Sequence, residues 1–138
     1  MENYIYTTYI IRVGDYAMRD IKFRGYGEYP NAWVHGVFFK INKLNPLDEP
    51  ACWIVNGDTP YMHHVILESV GQFTGQYDIN GNGIYEGDVL KYEKHNEPYT
   101  VKWSDHEAGF MCENSNNYVL PMGWHKMKIM GNVYEVKK

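Results

Sequence analysis

The residues best placed to do chemistry sit in one short stretch, Asp78-Ile79-Asn80-Gly81-Asn82-Gly83. Alternating oxygen donors with a glycine at the sixth place resemble the start of a calcium loop, which needs a bidentate Glu at loop position 12. Counted from Asp78, that place is held by Val89, and no flanking helices are evident. Asn-Gly steps tolerate positive φ, so the stretch reads as a β-turn. Just beyond it, Glu86 and Asp88 flank Gly87. Paired carboxylates do acid–base work when one is held protonated. Here they lie at a turn opening a strand, where Asp88 is expected to bond backbone amides and Glu86 to face water. Adjacent His63 and His64 would point to opposite faces of a strand and cannot easily share a metal. Cys52 and Cys112 carry no nucleophile signature, and no His-Glu-x-x-His, Cys-x-x-Cys, Walker or dinucleotide fingerprint occurs. The expectation is no catalytic residues, no cofactor and no metal: not an enzyme.

Basic residues interleave with aromatics in two places. Lys22, Arg24, Lys40 and Lys43 lie in the first half, and Lys126, Lys128, Lys137 and Lys138 at the end. Small β-barrels can stack bases on such aromatics. The 17 acids outnumber the 13 Lys and Arg, for a net charge of −4, which argues against a dedicated electrostatic grip on nucleic acid. Single-stranded nucleic-acid binding is the alternative reading, behind protein contacts.

These groups must be positioned by strands. The 138 residues are 44% hydrophobic and 16% aromatic, with 13 Tyr, and mean hydropathy is −0.52. That composition suits one globular unit, or two small subdomains sharing a core, built from half-buried sheet. No apolar run is long enough to cross a membrane as a helix. Two lone cysteines and no secretory signal point to a reducing compartment, so the expected location is cytoplasmic.

In chain order, residues 1–17 are β-like in composition and are expected to form an extension outside the compact domain. Ile21 to Gly25 and Trp33 to Ile41 read as a hairpin around a turn at Gly27 and Pro30-Asn31. Asn42 to Pro50 is a polar loop. Cys52 to Val55 is a short strand, and Tyr61 to Glu68 is expected to be extended. From about residue 68 onward, strands of a few residues recur at regular spacing, the pattern of a small closed barrel. Met127 to Val136 is expected to close the chain as a strand with a glycine bulge at Gly131. The fold class expected is all-β: an N-terminal β subdomain over 18–66 and a C-terminal SH3-like barrel over 67–138.

Several of these segments resemble the YopX-like family of bacteriophage and prophage proteins. They are Met18-Arg19-Asp20-Ile21-Lys22-Phe23-Arg24-Gly25, Trp33-Val34-His35-Gly36, and the central block Val70 to Gly75, Asp78 to Gly81 and Ile84 to Asp88. Val101-Lys102-Trp103, Ala108-Gly109-Phe110 and Gly131-Asn132-Val133-Tyr134-Glu135 continue the likeness, which spans roughly residues 18 to 135. The resemblance implies a β-rich fold with an SH3-type C-terminal part, no catalytic residues, and a phage or prophage accessory role in a bacterial host. Self-association through aromatic-rich edge strands, or contact with a phage or host protein, is the expected mode. Tyr26, Trp33, Trp103 and Trp124 are the candidate contact surface, because Tyr and Trp enrich at interfaces.

Overall fold

The structure, a computed structural model, describes residues 19–29, 31–42, 45–47, 50–59, 61–120 and 123–137. The extension expected over 1–17 lies outside the described residues. Among the described residues, eleven strands alternate with short turns: β1 (Phe23–Tyr26), β2 (Trp33–Ile41), β3 (Ala51–Val55), β4 (Met62–His64), β5 (Gly71–Tyr77), β6 (Gly83–Tyr85), β7 (Asp88–Tyr92), β8 (Tyr99–Ser104), β9 (Gly109–Glu113), β10 (Val119–Leu120) and β11 (Met127–Asn132). Short 3-10 turns among the described residues cover Leu67–Ser69 and Trp124–Lys126, and a short helix, α1, covers Val133–Lys137. The protein is all-β.

The strands form two antiparallel sheets. The first runs β4-β3-β2-β1-β5-β6, the second β10-β9-β8-β7-β11. Sheet one thus draws strands from both sides of the boundary expected at residue 67. Its first four strands curl: Gly27 bridges Val65, and the Ile66 amide donates to the Tyr26 carbonyl at 3.0 Å. This brings the β4 end back onto the β1 end. The alternation along β2 explains the curl. Val34 points into a small core with Cys52, Ile54 and Val65, with Phe23 and Phe38 packed against it. Gly25 lies among them because a Cβ there would stand 3.0 Å from the Val65 Cβ.

Sheet two wraps a second core of Leu90, Val101, Cys112, Trp124 and Met127, joined by Ile84. Ile84 sits on β6 of sheet one, so β6 stitches the two halves together. Thr74 Oγ1 donates to the Ile84 carbonyl at 2.8 Å, holding it there.

Two expectations need correction. Tyr61 to Glu68 is not extended throughout: beyond Val65 the chain turns at Leu67–Ser69. Ser69 Oγ causes this, donating to the Ile66 carbonyl at 2.6 Å and accepting the Tyr26 amide at 2.7 Å. The last strand also stops short, at Asn132. Its side-chain oxygen accepts the amides of Tyr134 and Glu135, each at 3.0 Å, which caps α1 and ends the ladder. The expected bulge is present, with the β7–β11 register shifting between Ile129 and Gly131.

Candidate contact surface

The alternation that buries Val34 turns Trp33, His35, Val37, Phe39 and Ile41 to the outer face of sheet one. Register places Tyr26 opposite Trp33 and Arg24 opposite His35. On the other side, Val37 faces Val55, Phe39 faces Trp53 and Ile41 faces Ala51, while Val55 in turn faces Met62. One face therefore has an aromatic end and an aliphatic end.

At the aromatic end, the rings of Tyr26, Trp33 and Tyr134 form a triangle with centroid separations of 5.5, 5.7 and 5.8 Å. Tyr134 arrives on α1, and its neighbour Glu135 accepts the Trp33 indole N–H at 3.1 Å. Behind the triangle, the Arg24 guanidinium lies 4.9 Å from the ring centres of both Trp33 and Tyr85. It donates through Nη2 to Asp88 Oδ1, while Asp88 Oδ2 accepts the Tyr85 amide at 2.8 Å. The Asp88 side chain is 1% exposed and that of Arg24 12%. Arg24 Nε is buried without an acceptor; the two rings supply its electrostatic contact instead. Burial pushes the Asp88 carboxyl above the usual carboxylate range, and Arg24 and the Tyr85 amide pull it partly back. His35 packs edge-on against Tyr85 at 5.4 Å. Burial, then Arg24 and Lys22, hold its imidazole below the usual range, so it is neutral at neutral pH. A cleft of about 350 Å³ opens beside Arg24, Trp33 and Tyr134, walled across by Thr100 and Lys102 of sheet two.

At the aliphatic end, Val37 is 63% exposed, Met62 53% and Ile41 44%. Phe39, Trp53 and Val55 between them are half-buried. The outward-facing positions of β2, β3 and β4 carry no carboxylate and no ammonium group, only the imidazoles of His35 and His64.

Of the four expected contact residues, the fold brings two together, Tyr26 and Trp33. Trp103 stands on sheet two against Phe110, at 5.1 Å, with its indole donating to Asp105 Oδ1 at 2.9 Å. Trp124 is a correction. It is 4% exposed, and its indole N–H donates to the Leu120 carbonyl at 3.0 Å. Gly123, at φ +90°, turns the chain so that the ring drops into the second core. The exposed apolar residues of β2, β3 and β4 share one sheet face, and β4 is the terminal strand of that sheet, with the Glu28 amide donating to the His64 carbonyl at 3.3 Å. Val37, Phe39, Ile41, Trp53 and Met62 were legible only as strand residues. The alternation along β2 marks them as one face, but nothing local says whether that face is covered.

The other motifs resolve into structure. Asp78 is 5% exposed, and its Oδ1 accepts the Asn80 and Asn82 amides, both at 2.9 Å. Its Oδ2 accepts the Ile129 amide at 3.1 Å. Both carboxylate oxygens thus serve amides, tying the turn to β11. Asp88 does bond a turn amide, as expected, and carries the Arg24 ion pair besides. His63 and His64 diverge, toward the Tyr29 carbonyl at 3.5 Å and Glu28 at 3.4 Å. Both cysteines are buried free thiols, and burial pushes the Cys112 thiol up to about 12. Among the described residues no group of three or more His, Cys, Asp and Glu is placed to hold a metal ion, and no helix is long and apolar enough to cross a membrane.

Fold and surface define an all-β protein of two antiparallel sheets, locked together by a buried Arg–Asp pair beneath a largely apolar outer face. The chain belongs to the YopX protein family, which it matches over residues 22–137. The residues of the junction come from the segments that carried the resemblance: Arg24, Trp33, Tyr85, Asp88, Asn132, Tyr134 and Glu135. Among solved structures, it is similar to the crystal structure of protein EF1440 from Enterococcus faecalis. The TM-score is 0.51 at 19% identity, covering 88% of this chain and 98% of that one. At that identity the likeness speaks to the fold alone. No curated protein matches the chain.

Proposed function

We propose that this is a non-enzymatic interaction module of phage or prophage origin, acting in the bacterial cytoplasm, that self-associates through the outer face of β2, β3 and β4. The observation that carries the reading is that face: Val37, Ile41 and Met62 exposed side by side over half-buried Phe39, Trp53 and Val55. Contiguous apolar patches on a soluble domain mark interaction sites. The occupant is a second copy. With a net charge of −4, copies repel one another over most of their surface. They meet at least cost where the outward-facing strand positions carry no carboxylate, with Glu28 and Glu135 only at the margins of the face, and each copy supplies the complementary, largely apolar surface.

Light scattering on the purified chain at high micromolar concentration is expected to give a dimer or larger species. Val37→Asp with Met62→Asp, both at exposed positions, is expected to return a monomer with unchanged far-UV circular dichroism. Two buried carboxylates would weaken association at least tenfold. A wild-type chain that stays strictly monomeric removes the second copy as occupant and leaves a phage or host protein in its place.

A further inference from the structure

A second surface carries a different chemistry. On the outer face of sheet two, Lys91 of β7 stands directly opposite Lys128 of β11. Facing Cα atoms in an antiparallel ladder are about 4.5–5.5 Å apart, and like charges placed there destabilise the pair. Lys126, two residues before Lys128, lengthens the row. Among the described residues, none of the three ammonium groups pairs with a carboxylate, whereas Lys22 and Lys102 do, with Asp20 and Glu113. The lysines border a groove of about 420 Å³ whose exposed apolar side chains are Ile79 and Met130; the Tyr92 ring beside them turns to the core face of β7, opposite Met127. Glu93 is the one carboxylate among the described residues that lines the groove beside the lysines. Ile79 is 55% and Met130 56% exposed.

We propose that this β7–β11 groove binds single-stranded nucleic acid, with Lys91, Lys126 and Lys128 on successive backbone phosphates and bases laid on the apolar wall. Lysine ammonium groups act as point charges that suit phosphate. A row of them beside an apolar strip fits a strand that carries phosphates on one side and flat rings on the other. A compact anion would use the charges and leave Ile79 and Met130 idle. The cost of facing Lys91 with Lys128 is relieved when a phosphate lies between them. The groove is on the opposite sheet from the β2–β4 face, so the two surfaces are independent.

The test is fluorescence anisotropy of a fluorescein-labelled oligothymidylate 12-mer and a mixed-sequence RNA of the same length, titrated with the full chain. Three phosphate contacts predict that log K falls with log salt at a slope of about −2. Lys91→Gln with Lys128→Gln is expected to weaken binding at least tenfold in 20 mM salt, roughly, and to flatten the slope to about −0.7. The same variant is expected to melt no lower than wild type, because it removes a facing like-charge pair. Lys102→Gln and Val37→Asp are expected to bind as wild type does. No saturable rise at low salt, an equal loss in Lys102→Gln, or displacement of the oligonucleotide by an acidic peptide at equal concentration would each overturn the proposal.

Discussion

Arg24→Ala is expected to cost about 3–5 kcal/mol of stability, the usual penalty for leaving a buried charge without its partner. The cause is Asp88, whose side chain is 1% exposed and whose other oxygen already serves the Tyr85 amide. Removing the guanidinium also empties the slot between Trp33 and Tyr85. For a chain of this size the melting temperature should fall by about 10 °C or more. Thermal or urea unfolding followed by circular dichroism reads this directly. The pH dependence is specific. Burial already raises the Asp88 carboxyl, and Arg24 is one of the groups pulling it back. Without Arg24 the folded-state value rises further. A group with a raised folded value contributes stability that is present below its unfolded value, about 3.9, and lost as pH rises through the folded one. The deficit of Arg24→Ala against wild type is therefore largest at neutral pH and shrinks as pH falls toward about 4. Arg24→Met with Asp88→Asn should lose less than the sum of the single changes, since it removes both charges. Equal deficits at pH 7 and pH 4 would show that packing, not charge, sets the cost.

Asp78→Ala is expected to cost about 3 kcal/mol, because it strips acceptors from three amides at once. Those amides belong to Asn80, Asn82 and Ile129, so the change loosens both the turn and its tie to β11. Burial alone would raise the Asp78 carboxyl, but the Asn82, Ile129 and Asn80 amides hold it below its ordinary value. The sign is opposite to that of Asp88. A depressed folded value contributes stability present above about 3.9, lost as pH falls through the folded value. Asp78→Asn keeps one acceptor oxygen and turns an amide group on the other amides. It should lose less than Ala above about pH 4 and differ little from wild type well below it. Millimolar calcium is expected to leave the wild-type melting temperature unchanged, because the amides already occupy the oxygens an ion would need. A calcium-dependent rise would contradict this account of the turn.

The β-character of the chain was readable because alternation and glycine corners are local signals. Trp33 to Ile41 alternates as a half-buried strand must, and the Gly131 bulge was marked by its own residue. The errors share one cause. Leu67 and Glu68 suit a strand by composition, yet Ser69 bonds Tyr26, a residue 43 positions away, and the backbone turns. Val133 to Val136 suits a strand too, until Asn132 offers a cap. Trp124 suits an interface by type, yet Gly123 folds it inward.

By itself the sequence determined the fold class, the family, the turn at Asp78 to Gly83 and the exclusion of familiar catalytic motifs. Each depends on neighbours within a few residues, where backbone geometry and side-chain period act directly. Only tertiary structure decided that Arg24 meets Asp88 across 64 positions, that Trp33 and Tyr134 share a corner while Trp124 does not, and that Lys91 faces Lys128. Contacts between distant strands depend on which sheet each strand joins and in what register. A one-residue slip turns every side chain to the other face, so those partners are chosen by the closing of the two cores rather than by any local stretch.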